Sequence, residues 1–235
     1  MVDDHDDVLE LLRTTGAIRE FLPDPVPDEV VYRILATARF APNGGNRQAW
    51  RVVLVKDPEI RVGLRDAYLP GWHEYLAIRA EGLTPFAPVT DRDAEAKARA
   101  RAADRGVGRH AEPPDFAERF DQAPVLLVVL ADLRYLAATD RDLDRYTLVG
   151  GASIYPFVWS MLLAAHAEGL GGVITTMAVP REAEVKQLLD VPDHLCLAAV
   201  VALGHPVRRP TRLTRKPVES FATIDRFDGP PLTIS

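Results

Sequence analysis

The sequence predicts an α+β fold in which a small sheet is flanked by helices, and three observations support this prediction. The 235 residues are 47% hydrophobic and 26% charged, which is typical of globular proteins. Four short apolar runs have the length of buried strands. Helical segments with apolar periodicity separate these runs, and no internal repeat is visible. We therefore expect a single domain over residues 1–235.

In the first third of the chain, the pattern predicts helix, connector, helix, strand and helix. A short helix at residues 8–13 follows an acidic opening, which suits a helix N-terminus. After a proline-rich connector, Pro27 begins an amphipathic helix that ends before Pro42. The apolar run within residues 50–56 predicts a buried strand, and Asp57-Pro58-Glu59 then begins another helix.

Residues 69–122 differ in character from the rest and are interpreted as an insertion. Pro70-Gly71-Trp72 and the prolines of residues 85–88 are expected to break the chain. Residues 91–105 are charged and alanine-rich, which is typical of a solvated helix, and a mobile loop is expected over residues 106–114. The alternative is that the insertion forms a lid over an active site.

The second half of the chain predicts three further strands, two helices and an arm. Strands are expected at residues 125–130, 171–176 and 195–203. A long apolar helix over residues 152–167 ends at Gly169, where a C-terminal glycine belongs, and residues 180–189 predict a surface helix. Residues 204–235 form an arm without periodicity or a core of its own, so we expect it to pack on another surface, such as a second subunit.

Charge and composition exclude several classes of function. A net charge of −6 argues against a nucleic-acid partner. The chain has no apolar run of membrane-spanning length, and its first residues are acidic where a signal peptide is basic, so we expect a cytoplasmic protein without membrane contact. One cysteine and six scattered histidines predict no metal site, and no serine lies in a hydrolase motif.

Four segments carry the groups that a planar, phosphate-bearing cofactor requires. Arg19 offers a permanent, bidentate cation beside Phe21. Residues 41–50 combine glycine-freed backbone amides with amide side chains, and residues 171–176 allow close backbone approach. Residues 212–217 add three cations. Taken singly, the 43–48 segment is equally explained as a helix cap and residues 212–216 as solvated surface charge.

Together these segments resemble the FMN-dependent nitroreductase family. Residues 15–21, Thr-Gly-Ala-Ile-Arg-Glu-Phe, match the family pattern Arg-Arg-Ser-hydrophobic-Arg-x-Phe, except at Thr15, Gly16 and Ala17. Residues 41–50 match Ala-Pro-Ser-x-x-Asn-x-Gln-Pro-Trp, with Asn43 for serine and Ala49 for proline. Residues 162–171 and 199–206, followed by 215–217, are similar to the remaining signatures. The resemblance covers nearly the whole chain outside the insertion.

The resemblance implies a nitroreductase-like fold with a mostly antiparallel central sheet, in a homodimer whose C-terminal arms are swapped. It also implies two FMN sites at the interface, with Arg19 against the pyrimidine edge as electrostatic support and Arg215, helped by Arg212 and Lys216, at the phosphate. The backbone at Thr175 and Thr176 is expected near the flavin N5 and O4 atoms. The other expected flavin contacts, some from the second subunit, are Pro42, Asn43, Gly44, Asn46 and Gln48.

The activity implied is hydride transfer from NAD(P)H through FMN to a small planar acceptor such as a nitroaromatic or quinone, in ping-pong fashion. No protein group need act as nucleophile or obligatory acid, since the flavin carries the chemistry. At the start of the insertion and within it, the aromatic side chains expected either to stack on the acceptor or simply to cover a core are Tyr68, Trp72, Tyr75 and Phe86. The alternatives are a flavin- or ligand-binding dimer without turnover, and other family reactions such as reductive dehalogenation or flavin fragmentation.

Overall fold

The computed structural model describes residues 4–105 and 115–234, and it confirms the predicted α+β class. The helices are α1 (Asp4–Thr14), α2 (Asp28–Ala38), α3 (Pro58–Ala80), α4 (Arg92–Arg105), α5 (Tyr155–Ala167) and α6 (Glu182–Leu188). The strands are β1 (Trp50–Leu54), β2 (Val125–Asp132), β3 (Gly171–Thr175) and β4 (Leu195–Gly204). The expected mobile loop at residues 106–114 lies outside the described residues.

The four strands form one antiparallel sheet in the order β1-β2-β4-β3. Strand β2 is buried along its whole length, and its side chains alternate between two apolar layers as the pleat requires. Leu127 and Val129 pack with residues of α2 and α5, whereas Leu126 and Val128 pack with residues of α3. The sheet is therefore covered on both faces, and β1 and β3 are its edges.

Helix α3 corrects the expectation that Pro70-Gly71-Trp72 breaks the chain. The helix begins with Asp57, whose carboxylate accepts hydrogen bonds from the backbone N–H groups of Glu59 (2.8 Å) and Ile60 (3.1 Å). It then continues through Pro70 to Ala80. A proline inside a helix costs about 3 kcal/mol, but residues on both sides of Pro70 are buried against the rest of the protein: Leu64, Ala67, Tyr68, Ala77 and Ile78.

The end of β2 is fixed by a buried carboxylate. Asp132 is fully buried and accepts hydrogen bonds from Arg134 Nε (3.0 Å) and Nη2 (2.8 Å), while Arg51 lies 3.8 Å away. Its backbone N–H donates to the carbonyl of Ala49 at 2.7 Å. The Arg134 guanidinium holds the pKa of Asp132 at about 2, against burial, which raises it. The ionised carboxylate thus fixes the turn after β2 through Arg134, and the backbone N–H of Asp132 ties the end of β2 to the segment that enters β1.

We expect Asp132→Asn to destabilise the protein in a pH-dependent way. Because the folded pKa is depressed, the carboxylate stabilises the fold above the unfolded pKa of about 3.9, and this contribution disappears as the pH falls through about 2. The difference in unfolding free energy between wild type and variant, measured with urea from pH 2 to pH 6, should shrink on acidification. The exposed Asp142 provides the control Asp142→Asn. A pH-independent difference for Asp132→Asn would contradict this account.

Candidate functional site

A cavity of about 310 Å³ lies between α3 and the end of β3. Four side chains of α3 spaced at i, i+4, i+7 and i+11 share one helix face and form one wall: Tyr68, Trp72, Tyr75 and Arg79. The other wall is residues 174–177, which include the expected Thr175 and Thr176, and Arg19 completes the lining. The structure therefore brings together six of the residues expected at the site, from three separate parts of the chain.

The aromatic side chains of α3 divide into core and cavity groups. The Tyr68 ring is 2% exposed and stacks on Phe120, with centroids 4.6 Å apart. Trp72 and Tyr75 are partly exposed and stack on each other, with centroids 5.4 Å apart and planes 9° from parallel. The indole N–H of Trp72 donates to Asp115 Oδ2 at 2.8 Å, which fixes the orientation of the ring. Tyr68 therefore belongs to the core, whereas Trp72 and Tyr75 face the cavity, and their stacking on an acceptor stays a prediction.

Tyr68 joins the two walls of the cavity at its floor. Burial raises the pKa of Tyr68, and the neighbouring Thr175 side chain lowers it by a smaller amount. The phenol is therefore neutral where α3 meets the end of β3. Phe86 is not part of this lining: it lies in the turn between α3 and α4, with a positive φ of 59°.

Arg19 is presented by a segment that is fixed on both sides. Backbone hydrogen bonds run from Ile18 N to Gly172 O (2.8 Å) and from Leu22 N to the carbonyl of His205 (2.8 Å). The Arg19 side chain is exposed, and within residues 4–105 and 115–234 its guanidinium makes no hydrogen bond or ion pair. A second cleft, of about 370 Å³, lies on its other side, against Phe116 and Arg119. Arg19 is thus a rigidly placed cation that is available to a ligand.

The loop of residues 42–48 lies at the opposite edge of the sheet. Asn43 Oδ1 accepts a hydrogen bond from Gln48 N (2.8 Å), and Gln48 Nε2 donates to Asn46 Oδ1 (3.3 Å). Asn46 and Gln48 both adopt positive φ, and the N–H of Gly44 donates to Ser153 Oγ at 3.0 Å. These hydrogen bonds fix the conformation of the loop. Because the N–H of Gly44 already donates to Ser153, it is not available to a ligand in this conformation.

One copy of the chain cannot bring this loop to Arg19. Thr175 pairs with Val200, Val200 with Val128, and Val128 with Val53. Three strand spacings of about 4.8 Å separate Thr175 from β1, or roughly 14 Å, and residues 42–48 lie beyond the end of β1. Arg19 and Thr175 therefore lie near one edge of the sheet, and the loop of residues 42–48 lies near the other edge.

The C-terminal arm passes directly over Gly16. A Cβ on Gly16 would stand 2.9 Å from Leu213 Cδ2 and 3.2 Å from Pro210 Cγ, so the side chains of the arm pack closely against this glycine. Arg209 Nη2 donates to the carbonyl of Leu170 at 2.9 Å. These contacts bring the exposed Arg212 and Arg215 into the neighbourhood of residues 15–19, which carry Arg19.

The structure also explains why residue 15 is a threonine and not the arginine of the family pattern. It is 7% exposed, and its hydroxyl lies 2.7 Å from Leu11 O and 2.6 Å from His166 Nδ1. A position that faces the interior in this way cannot present a cation to a phosphate. The exposed cations near this segment come instead from the arm.

Sequence reasoning missed three residues of the site. Arg79 and Met177 line the cavity, and Asp115 orients Trp72. Arg79 could have been found from its position seven residues after Trp72, which places both side chains on one helix face. This holds only if α3 continues beyond Pro70. Among the described residues, no group of three or more His, Cys, Asp or Glu side chains is arranged to hold a metal ion. None of the described helices is both long and apolar enough to cross a bilayer.

The profile of the Nitroreductase family matches residues 12–205. The chain belongs to the nitroreductase family. It is 29% identical over 203 residues to a Thermus thermophilus protein named NADH dehydrogenase, covering 86% of this chain and 88% of the relative. It is also 29% identical over 203 residues to 5,6-dimethylbenzimidazole synthase of Rhodobacter capsulatus, covering 86% and 85%.

Solved structures show the same fold at low sequence identity. Iodotyrosine deiodinase, in a crystal structure bound to FMN and 3-iodo-L-tyrosine, superposes with a TM-score of 0.62 at 22% identity, covering 94% of this chain and 98% of that one. The expected nitroreductase-like fold is thereby confirmed. The chain is therefore an oxidoreductase of the nitroreductase family. The names of the proteins it resembles indicate chemically different small molecules as substrates.

Proposed function

We propose that the protein is an FMN-dependent NAD(P)H oxidoreductase that reduces a small planar acceptor, such as a nitroaromatic or quinone. The observation that carries the proposal is the free guanidinium of Arg19, within the described residues, at the mouth of a cavity formed by Thr175, Thr176 and the aromatic face of α3. A flat, electron-accepting ring with a polar edge fits such a cavity. The FMN bound in the deiodinase crystal structure and the name of the Thermus relative agree with this proposal.

The residues present fit FMN at both of its ends. Arg19 can donate two parallel hydrogen bonds to the pyrimidine edge, and residues 174–176 offer backbone at the end of an edge strand. For the phosphate, the arm supplies Arg212 and Arg215 near Gly16. Arg215 makes only a hydrogen bond to the carbonyl of its neighbour Thr214, so its charge is not neutralised by a described carboxylate.

We further propose that two copies of the chain complete each site. The loop containing Pro42, Asn43, Gly44, Asn46 and Gln48 would reach the flavin from a second copy, since within one copy it lies at the far edge of the sheet. The arm, residues 204–235, carries Phe221, Phe227 and Ile234 with 71%, 100% and 96% exposure, and large exposed apolar groups of this kind favour a protein interface. Light scattering should give twice the chain mass of 25.9 kDa.

When bound, FMN would accept a hydride from the reduced nicotinamide and pass it to the acceptor, so both substrates would use the same face in turn. Arg19 would stabilise the negative charge that the flavin ring gains on reduction, because a fixed cation is worth more in a partly dry pocket than in water. Trp72 and Tyr75 would orient the acceptor ring. The described part of the insertion, residues 69–105 and 115–122, would form a cover over the site, and solvent would supply the protons.

Arg19→Ala tests the proposal directly. The purified wild-type protein should be yellow, should bleach on mixing with NADH or NADPH under nitrogen, and should recover its colour with a quinone. The variant is expected to retain at least ~10-fold less flavin and to be reduced at least ~10-fold more slowly, since charged hydrogen bonds contribute about 1.5–3 kcal/mol. Flavin fluorescence after denaturation and stopped-flow absorbance measure the two quantities.

The control is Arg141→Ala, because Arg141 is 79% exposed and its ion pair is with the equally exposed Asp142. It should match the wild type in both measurements. Equal flavin content and reduction rate in Arg19→Ala would remove Arg19 from the site. A wild-type protein that is colourless and cannot be reconstituted with FMN would favour the alternative of a ligand-binding dimer without turnover.

A further inference from the structure

Arg79 is a second free cation at the cavity, and the proposed function gives it no role. It lines the cavity one helical turn after Tyr75, about 6 Å along α3. Within residues 4–105 and 115–234, its guanidinium makes no hydrogen bond or ion pair. Neither wall contributes an aspartate or glutamate to the lining. The cavity therefore holds uncompensated positive charge in a protein whose net charge is −6.

The carboxylates near Arg79 are occupied by other groups. Glu74 pairs with Arg99, and Glu81 pairs with Arg101 at 2.7 Å, so α4 rather than Arg79 neutralises the acids of this part of α3. Asp115 accepts three hydrogen bonds, from the indole of Trp72 and from the backbone N–H groups of Ala117 (2.8 Å) and Glu118 (3.1 Å). The local network thus leaves Arg79 available for an anion from outside the protein.

The aromatic pair Trp72 and Tyr75, beside Arg79, indicates that the anion is a substituent of a flat ring. Trp72 and Tyr75 are partly exposed and stack on each other with nearly parallel planes, so a further flat ring can extend this stack from its outer face. A substituent at the para or meta position of such a ring would lie within reach of the Arg79 guanidinium, which is one helical turn away. A carboxylate suits that position, because arginine binds carboxylates through two parallel hydrogen bonds.

We propose that the acceptor is an aromatic carboxylate, whose ring stacks on the outer face of the Trp72–Tyr75 pair and whose carboxylate is bound by Arg79. The inference rests on the proposed function and adds the substrate class and its specificity-determining residue. For a nitrobenzoate, the nitro group takes up a hydride from the reduced cofactor and one proton from solvent, and the products are a nitrosobenzoate and water. Arg79 keeps its proton throughout and serves only to bind and orient.

The test compares 4-nitrobenzoate with the neutral 4-nitrobenzamide in wild type and in Arg79→Gln. For 4-nitrobenzoate we expect kcat/KM to fall about 10- to 100-fold, which corresponds to the loss of a charged hydrogen-bonded pair. For 4-nitrobenzamide it should change less than about 2-fold. Arg79→Lys, which keeps the charge but loses the planar fork, should give an intermediate loss. Arg141→Gln carries the same change of net charge and should behave as wild type.

Two further measurements decide between sources of the anion. If Arg79 binds a phosphate of the pyridine nucleotide instead, Arg79→Gln will slow the reduction of the flavin by NADPH and leave its reoxidation by 4-nitrobenzoate unchanged, which overturns the proposal. Equal losses for the two acceptors also overturn it. Titration calorimetry of benzoate against benzamide gives a readout without turnover: wild type should prefer benzoate, and the preference should disappear in Arg79→Gln.

Calorimetry also separates this inference from the proposed function. A wild-type protein that binds benzoate through Arg79 but is not bleached by NADH or NADPH would contradict the oxidoreductase and retain the carboxylate site. A protein that is bleached and reoxidised by nitroaromatics without preference for the carboxylate would retain the oxidoreductase and eliminate the role of Arg79. Thermal unfolding of each variant should match the wild type, because the Arg79 side chain is exposed and makes no hydrogen bond or ion pair within the described residues.

Discussion

Gly71→Ala is expected to lower the free energy of unfolding by about 3 kcal/mol, because overpacking in a filled interior typically costs about 1–3 kcal/mol and here the obstacle is backbone. A Cβ at Gly71 would overlap the carbonyl oxygen of Met177 and stand 3.1 Å from its carbonyl carbon. Since Met177 lines the cavity, the displaced helix should also disturb ligand binding. Urea unfolding gives the stability change, and flavin content the effect on the site.

The matched control lies in the same helix. A Cβ at Gly63 would meet only the side-chain end of Leu188, at 2.7 and 3.0 Å, and this end can move to another rotamer. Alanine is favoured over glycine in a helix by up to about 1 kcal/mol, so Gly63→Ala should be close to neutral. Similar unfolding midpoints for the two variants would show that the approach of α3 to Met177 is not tight.

Arg61→Met is expected to destabilise the fold by about 2–4 kcal/mol. The guanidinium of Arg61 donates to three backbone carbonyls, those of Asp121 (2.8 Å), Val55 (2.9 Å) and Ala123. Burial lowers the pKa of Arg61, but arginine stays charged at all ordinary pH values. Methionine preserves much of the aliphatic packing and leaves three partly buried carbonyls without this donor, at a net cost of about 0.5–1.5 kcal/mol for each hydrogen bond.

The appropriate comparison is Arg33→Met. Arg33 also makes a two-pronged contact, with Glu168 at 2.9 and 2.7 Å, but its side chain is 54% exposed. Exposed ion pairs contribute little, because water screens them. Urea unfolding should therefore give a much larger loss for Arg61→Met. Equal losses would show that the three carbonyls find other donors when Arg61 is removed.

The strands could be predicted closely from the sequence because each is a continuous apolar run bounded by turn residues. The observed ranges, Trp50–Leu54 and Leu195–Gly204 among them, differ from the predicted ones by at most two residues at each end. Their order in the sheet could not be predicted, since nothing in an apolar run specifies its neighbour. The separation of Arg19 from residues 42–48 follows from that order, so it too was beyond local reasoning.

Helix α3 shows where local rules fail. Proline and glycine together at positions 70 and 71 predict a break, yet buried residues on both sides hold the helix together. Gly71 is required for close packing against Met177, not for a turn. The burial of Asp132 was equally invisible, because its partner Arg134 is only two residues away and the pair resembles an ordinary solvated turn. In each case tertiary contacts outweigh the local preference.

The stack of Trp72 on Tyr75 has a practical consequence. The chain has three tryptophans: Trp50 is partly buried and stacked on Phe157, Trp159 is 36% exposed, and Trp72 lines the cavity. Tryptophan fluorescence therefore includes a contribution from Trp72 in the cavity. Quenching of that emission would follow occupancy in real time, without a label and before any catalytic assay has been established.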